Sequence, residues 1–379
     1  MAKKGNGEGS IYEHRRNGKK VGYRGAYTVH AASGPKRRYV SGKTREEVRR
    51  KLVRAMADRD GGMVFDAGSL TVEKYLTRWL EDSVKGTVCV STYEVHRHMI
   101  HPHINPALGR LRLKDLTPVH VRGFYREKLD SGLSSATVRK MHSILRKALK
   151  QAVLDRLIPR NVCEAVKPPK VEHKEINPLD RTQVKTLLEA ASEDRLEALY
   201  VLAVHTGMRE GELLGLKWED VDLDRDVLRL RRALVREGGR VVLGDLKTPK
   251  SRRSVRLTHA ATNALRNHLG RQLEEMGRMG SLYQPGGLVF ATESGTLINP
   301  SNLRNRSFKP LLKRAGITDI CFHDLRHTCA TLLLSQGTHP KLVQELLGHA
   351  TIAMTLDTYS HFLPSMGDQT VKAMEAALS

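Results

Sequence analysis

A few short runs in the second half of the chain hold the side chains able to do chemistry. Arg209 lies in Thr206-Gly207-Met208-Arg209-Glu210-Gly211-Glu212, an arginine just past a glycine turn, and one helical turn on, Glu212 comes under its guanidinium. Taken alone, that is an ordinary ion pair. The run Lys247-Thr248-Pro249-Lys250-Ser251-Arg252-Arg253 is a basic turn between two strands. Cys321-Phe322-His323-Asp324-Leu325-Arg326-His327-Thr328 opens a helix, and Leu347-Gly348-His349 is followed ten residues later by Tyr359. Attack on a phosphodiester builds a second negative charge in a five-coordinate transition state, which guanidinium and imidazole donors stabilise. Arg209, Arg326 and His349 are the candidates for that task. A tyrosine, with an ordinary pKa near 10, becomes a nucleophile when cations favour its phenolate and a base accepts its proton, and Tyr359 fits. The departing 5′ oxygen needs a proton, which a lysine on a hairpin turn can supply; both Lys247 and Lys250 qualify.

The four motifs are each weak and together specific. T-G-M-R-E-G-E-L-L-G-L-K-W-E-D-V from Thr206, K-T-P-K-S-R-R-S-V from Lys247, H-D-L-R-H-T from His323 and L-G-H through Tyr359, in this order and spacing, resemble the tyrosine recombinases of the phage integrase family. The likeness covers the C-terminal domain and, more loosely, the two N-terminal modules of integrases that bind distant arm-type sites. It implies Lys247 over Lys250 as the proton donor, His323 as base or hydrogen-bonding partner, and Glu212 as the group that orients Arg209. It further implies a cycle in which Tyr359 forms a 3′-phosphotyrosyl link and frees a 5′ hydroxyl that attacks a partner strand. The partners implied are double-stranded DNA attachment sites of core and arm type, a homotetramer on DNA, and an excisionase or DNA-bending host factor. The tail from Gln369 to Ser379 is expected to be a helix exchanged between protomers. No cofactor and no metal is implied, and the chain has neither a G-x-x-x-x-G-K-[ST] loop nor a clustered Asp/Glu set for paired magnesium ions. Val255-Arg256-Leu257 and Met354 depart from the family pattern at scaffold positions.

Three rival readings differ in what they require. A zinc hydrolase would use His323 and His327 at i, i+4 with Cys321 and Cys329 nearby, but the Glu of H-E-x-x-H is missing and arginines crowd the cluster. His327 reads instead as a packing or phosphate-side residue. A non-catalytic DNA-binding regulator needs the basic modules and has no use for His349 or Tyr359. A type IB-like topoisomerase would share the tyrosine chemistry and return the 5′ hydroxyl to its own strand; a separate arm-like module favours recombination, because it lets one protomer bridge two DNA sites.

These residues need a scaffold of several domains, and the patterning supplies one. Residues 1–63 read as an arm-type DNA-binding domain, a small three-stranded antiparallel sheet with turns at Asn17-Gly18 and Ser33-Gly34-Pro35, backed by a helix capped at Thr44 with Glu47 three residues on. Arg15, Arg16, Arg24, Lys36, Arg37 and Arg38, with Tyr12, are expected to present its DNA-facing surface. Residues 69–168 read as an all-α, SAM-like core-binding domain with helices over 71–82, 89–103, 117–131 and 134–154. Its basic surface comprises His96, Arg97, His98, His101, Arg139, Lys140, Arg146, Lys147 and Lys150. Pro168-Pro169 opens a linker. Residues 177–379 read as a mixed α+β, mostly α, catalytic domain with a buried helix over 196–205 and strands over 227–235, 240–246 and 253–257. Helices are expected over 259–276, 300–315, 324–336, 339–347 and 350–357.

Composition agrees with a polyanionic partner and excludes several classes. With 379 residues the chain exceeds one hydrophobic core, and 64 Lys plus Arg against 41 Asp plus Glu leave a net charge of +23. Residues 1–60 hold 17 of those bases against 6 acids, a net +11. The cysteines, Cys89, Cys163, Cys321 and Cys329, form no C-x-x-C pair and read as reduced thiols. The basic start lacks the apolar stretch of a secretory signal and no run is long enough to cross a membrane, so the expected location is cytoplasmic, at the nucleoid.

Overall fold

The computed structural model describes residues 9–31, 34–60, 69–172, 176–246, 252–359, 374–375 and 377–378. The chain separates into two compact units, Met1–His173 and Lys174–Ser379.

The first unit begins with the three-stranded sheet that the alternation predicts. Strands β1 (Ser10–Arg16), β2 (Lys19–Ala31) and β3 (Gly34–Gly42) pair antiparallel in chain order. Asn17 and Gly18 both have positive φ, 50° and 77°, the type I′ geometry that matches strand twist. Helix α1 (Arg45–Asp60) packs Val48 and Leu52 under the sheet, where Val29 is buried and Gly25 leaves them room. The Glu47 amide donates to Thr44 Oγ1 and the Lys43 amide to the Glu47 carboxylate, so the reciprocal cap forms one residue earlier than the usual box.

The helical part of this unit has its own core, built from α2 (Val72–Trp79), α3 (Val90–Met99), α4 (Asn105–Leu108), α5 (Pro118–Asp130) and α6 (Ser135–Leu154). Ser134 caps α6 by accepting from the Thr137 amide. The expected helix over 89–103 continues beyond α3 through a π turn at Ile100–Ile104, where Pro102 has no amide to offer the regular ladder. His96, expected on the basic surface, is instead buried with its ring 5.8 Å from Trp79; in the same core the buried His142 Nδ1 lies 2.7 Å from Tyr125 Oη.

The second unit is built around helix α8 (Glu197–Thr206), buried along nearly its whole length as expected for 196–205. It packs against α7 (Arg181–Ala191), α10 (His259–Met279) and α13 (Asp324–Ser335), with α9 (Glu210–Leu214) following directly. The expected helix over 300–315 is α11 (Pro300–Asn302), a π turn at Leu303–Phe308 and α12 (Lys309–Arg314), the wide turn coming just before Pro310. Helices α14 (Pro340–Leu347) and α15 (Ile352–Tyr359) follow.

The expected strand over 227–235 is two strands in two sheets. β4 (Val221–Asp222), β5 (Val227–Leu230) and β8 (Arg253–Arg256) form one sheet, in that order, while β6 (Arg232–Glu237) and β7 (Arg240–Asp245) form a separate hairpin. Leu228 and Leu230 face the core, whereas β6 runs over α9 so closely that a Cβ on Gly211 would lie 2.8 Å from the Leu234 carbonyl oxygen. The chain therefore changes sheets at Arg231. Val255, at a departure from the family pattern, is buried and pairs with Leu228, so the strand keeps its register.

Candidate active site

Two helix ends position the arginines. Helices α8 and α14 both stop at a glycine in the left-handed region, Gly207 at φ 60° and Gly348 at φ 66°, and a helix C-terminus leaves carbonyls without intrahelical donors. Guanidinium groups take them up. Arg326, on the first turn of α13 and only 3% exposed, donates from Nη1 to the Gly207 carbonyl and from Nη2 to the Leu347 carbonyl, both at 2.7 Å. Arg209, at the start of α9, donates from Nη2 to the Gly348 carbonyl at 3.4 Å. These contacts put Arg326 and Arg209 at the same pair of helix ends, and the negative end of each helix dipole favours cations there.

Glu212 holds this arrangement together. Its carboxylate, buried on the inner face of α9, accepts from Arg209 Nη1 at 2.8 Å and from the Arg209 amide at 3.0 Å. It also accepts from Arg253 Nη2 at 3.0 Å, and Arg253 Nε donates to the Leu346 carbonyl at 2.7 Å. Burial raises the Glu212 pKa, but the Arg253 and Arg209 charges and the amide outweigh it, leaving the carboxyl below its ordinary value. Arg326 has its pKa pulled down to about 10 by burial and then by Arg209, and remains a cation at neutral pH.

The imidazoles and the phenol lie on α13, α15 and the turn before α15. His349 Nδ1 lies 2.9 Å from Thr355 Oγ1, and the His349 carbonyl accepts from Gln344 Nε2 at 2.7 Å. Burial first, then Arg326 and Arg209, push its pKa down to about 4, so it is neutral at pH 7 and able to donate one N–H to a phosphate oxygen. Tyr359, 1% exposed, packs with Ala330, Leu334, Val343 and Leu347. Its phenol oxygen lies 2.7 Å from His327 Nδ1, within hydrogen-bonding distance. Burial lifts its pKa to about 12, against an opposing pull from Arg326. His323, at the start of α13, has its pKa lowered by burial and by Arg326, and meets His327 edge-on with ring centroids 5.0 Å apart. Among the described residues no three His, Cys, Asp or Glu side chains are grouped to hold a metal ion.

The structure thus brings Arg209, Glu212, Arg326 and His349 together around the two helix ends, with His323 and Tyr359 on the adjoining helices. Lys247 and its competitor Lys250 lie outside the described residues. So does most of the tail from Gln369, of which 374–375 and 377–378 are helical. Arg253 and His327 are the residues that motif reading missed in these roles. Arg253 was one basic residue in the run before Val255, and strand pairing with Leu230 is what turns it inward; His327 lies one helical turn from His323, the spacing at which side chains share a face.

The expected DNA-facing residues divide by strand parity. Paired residues share a face of a sheet, and Gly25 faces α1, where an added Cβ would meet Val48. Arg24 pairs with Tyr12, Arg37 with Thr28 and Tyr39 with Ala26, so these residues lie on the face turned away from α1; the Arg24 guanidinium stacks 4.9 Å from the Tyr39 ring centre. Beyond the irregularity at His14/Arg15, Arg15 shares a face with Glu13, to which it donates in an exposed ion pair at 3.1 Å, and with Lys20, which bonds both Glu13 and Tyr23; Glu13 and Tyr23 pair in the register of Gly25, so Arg15 lies on the α1 side. Lys36 pairs with Val29 and Arg38 with Tyr27, which places them on the α1 side too, while Arg16 alternates along β1 with Tyr12 and His14 to the open face. The six arginines and lysines therefore cannot all present one surface. On α6, Arg139, Lys140, Arg146, Lys147 and Lys150 are all exposed, opposite the buried stripe Val138, Met141, Leu145 and Leu149.

Comparison with known proteins agrees with this geometry. Residues 177–365 match the model of the phage integrase family, and residues 71–129 match that of the phage integrase N-terminal SAM-like domain. A curated "Tyrosine recombinase XerC-like" protein of Caldanaerobacter subterraneus subsp. tengcongensis is 31% identical, with 99% of each chain covered. An integrase of Saccharopolyspora erythraea is 28% identical over 88% of each. Among solved structures, the Tn1549 transposon integrase in complex with transposon right end DNA superposes with a TM-score of 0.68 at 20% identity, covering 82% of this chain and 100% of that one. A lambda integrase tetramer bound to a Holliday junction gives a TM-score of 0.57 at 22% identity, covering 94% and 95%. With its ordered motifs, its full-length relative and this fold, the chain belongs to the phage integrase family and is a site-specific tyrosine recombinase.

Proposed function

We propose that the chain integrates or excises a phage or other mobile element, with Tyr359 as the nucleophile that forms a 3′-phosphotyrosyl link. Arg209, Arg326 and His349 receive the scissile phosphate, and Lys247 protonates the departing 5′ oxygen. The observation that carries this reading is the pair of guanidinium groups fixed on the ends of α8 and α14 beside a neutral His349, with Tyr359 on the next helix. Two fixed cations and an N–H donor match the charge that develops as phosphorus becomes five-coordinate. Glu212 orients Arg209 without touching the reacting atoms.

Three modules divide the work: 1–63 grips arm-type sites, 69–168 grips the core site and 177–379 cuts and rejoins. The exposed basic face of α6 suits phosphate contacts, and the Tyr12, Arg24, Arg37 and Tyr39 face suits a groove. The working assembly is a homotetramer on DNA, a reading supported by the lambda integrase tetramer on a junction, with an excisionase or a DNA-bending host factor setting direction. Work on chromosomal DNA places the protein in the cytoplasm at the nucleoid; among the described residues no helix is long and apolar enough to cross a membrane.

The test is a nicked duplex made from the DNA that flanks the coding sequence, where an integrating element carries its attachment site. A covalent protein–DNA adduct is expected on denaturing gels with the wild-type chain and none with Tyr359→Phe. An adduct that survives Tyr359→Phe sinks the assignment.

A further inference from the structure

We propose that His327, and not His323, takes the phenol proton of Tyr359 as the tyrosine attacks the scissile phosphate; the inference rests on the strand-cleavage reading above. A general base must lie within hydrogen-bonding reach of the proton it removes, about 2.6–3.2 Å between heavy atoms. His327 Nδ1 is 2.7 Å from Tyr359 Oη, with the two ring centroids 5.6 Å apart. The His323 ring instead meets the edge of His327. The ring packs in a cluster with Ala330, Leu334, Val343 and Leu347, and its hydroxyl end meets His327.

The surroundings keep His327 able to accept. The groups that face it are His323, Asp324 and Arg326 from α13, Tyr359 from α15 and His349 from the turn between α14 and α15. Burial, His323 and Arg326 disfavour the imidazolium and outweigh Asp324, so the ring is neutral at pH 7, and in the tautomer protonated on Nε2 its Nδ1 lone pair meets the phenol. Because burial lifts the phenol to about 12, the proton stays on oxygen in the resting site. It moves only as the new bond forms. The phenol O–H bond breaks, its electron pair becomes the Tyr359 Oη–phosphorus bond, and the proton goes to Nδ1. The phosphorus–O5′ bond breaks with its pair on the 5′ oxygen, which takes a proton from a separate donor, Lys247 in the reading above. In rejoining, the 5′ hydroxyl attacks phosphorus and gives its proton back to the donor that had served the 5′ oxygen, the phosphorus–Tyr359 Oη bond breaks with its pair on Oη, and His327 returns the proton to that oxygen. His323 then acts as a positioning residue that fixes the His327 ring.

Single-turnover cleavage of the nicked flanking-DNA duplex, at saturating protein and across pH 5 to 9, tests this in the full-length chain. His327→Asn keeps a polar atom near Nδ1 without its basicity, and adduct formation is expected to slow about 100-fold with loss of the acid limb of the pH profile. His327→Phe is expected to slow it at least as much, and His323→Asn to keep the acid limb. A duplex with sulfur in place of the bridging 5′ oxygen needs no proton for its leaving group, so the His327→Asn defect should persist on it. The inference is overturned if His327→Asn stays within about threefold of wild type, if the acid limb is lost in His323→Asn and kept in His327→Asn, or if the sulfur duplex restores the rate. Should His327→Phe fail to fold by thermal melting, the Asn variant decides alone. No adduct with the wild-type chain would overturn the strand-cleavage reading itself, and this inference with it.

Discussion

Glu212 carries an uneven share of the site for a residue that touches no substrate. Its side chain is 3% exposed and that of Arg253 is 8%, so the pair is a buried one, and Arg209 is the third member. A buried charge left without its partner costs about 3–5 kcal/mol, far more than an exposed pair contributes. Glu212→Ala takes the shared carboxylate from two guanidinium groups at once. We expect that variant to lose stability on that order in urea melts, and to lose adduct formation more than DNA affinity, because Arg209 is then free to leave the phosphate position. Glu212→Gln keeps the hydrogen-bond acceptor and is expected to fall between. If Glu212→Ala melts as wild type does, the carboxylate is not the tie between the two arginines.

At the scale of elements, sheet parity decides which basic residues meet DNA. Lys36, Arg37 and Arg38 are consecutive, and a strand sends successive side chains to opposite faces. Arg37 shares the open face with Arg24, while Lys36 and Arg38 share the other with α1. In the full chain, Arg24→Ala with Arg37→Ala is expected to weaken binding to arm-site duplex and to lower the slope of log affinity against log salt by about 2, one unit per lost phosphate contact. Lys36→Ala with Arg38→Ala should leave that slope within about 0.5. Fluorescence anisotropy over a salt series separates the two, and equal losses would overturn the parity argument.

The same physics explains what could be read in advance. The hairpin turn at Asn17-Gly18, the cap at Thr44 and the buried helix α8 are local signals, and the structure bears each of them out. The motif order singles out Arg209, Arg326 and His349 because each sits beside a local marker, a left-handed glycine or a helix start, and Tyr359 by its distance of ten residues from His349. The strand break at Arg231, the inward turn of Arg253 and the His327 contact with Tyr359 depend on pairing between segments far apart in the chain. No short window of sequence contains that information.

For the whole molecule, the charge of +23 separates into two populations with different exposure to salt. The basic residues of α6 and of the arm sheet stand in solvent, where ions screen them over about 8–10 Å. Arg326 and Arg253 are buried and fixed to carbonyls and a carboxylate, so screening reaches them little. Grip and chemistry should therefore respond differently to ionic strength. If six or more phosphates are neutralised, affinity for duplex should fall at least 1,000-fold between 50 and 200 mM salt, as counterions no longer gain from release. The single-turnover rate of adduct formation, measured with DNA saturated at each salt concentration, should change by less than about threefold over the same range, since the buried cations meet a phosphate inside a site that salt does not penetrate. A rate that falls in step with affinity would mean that the exposed charges also take part in the chemical step.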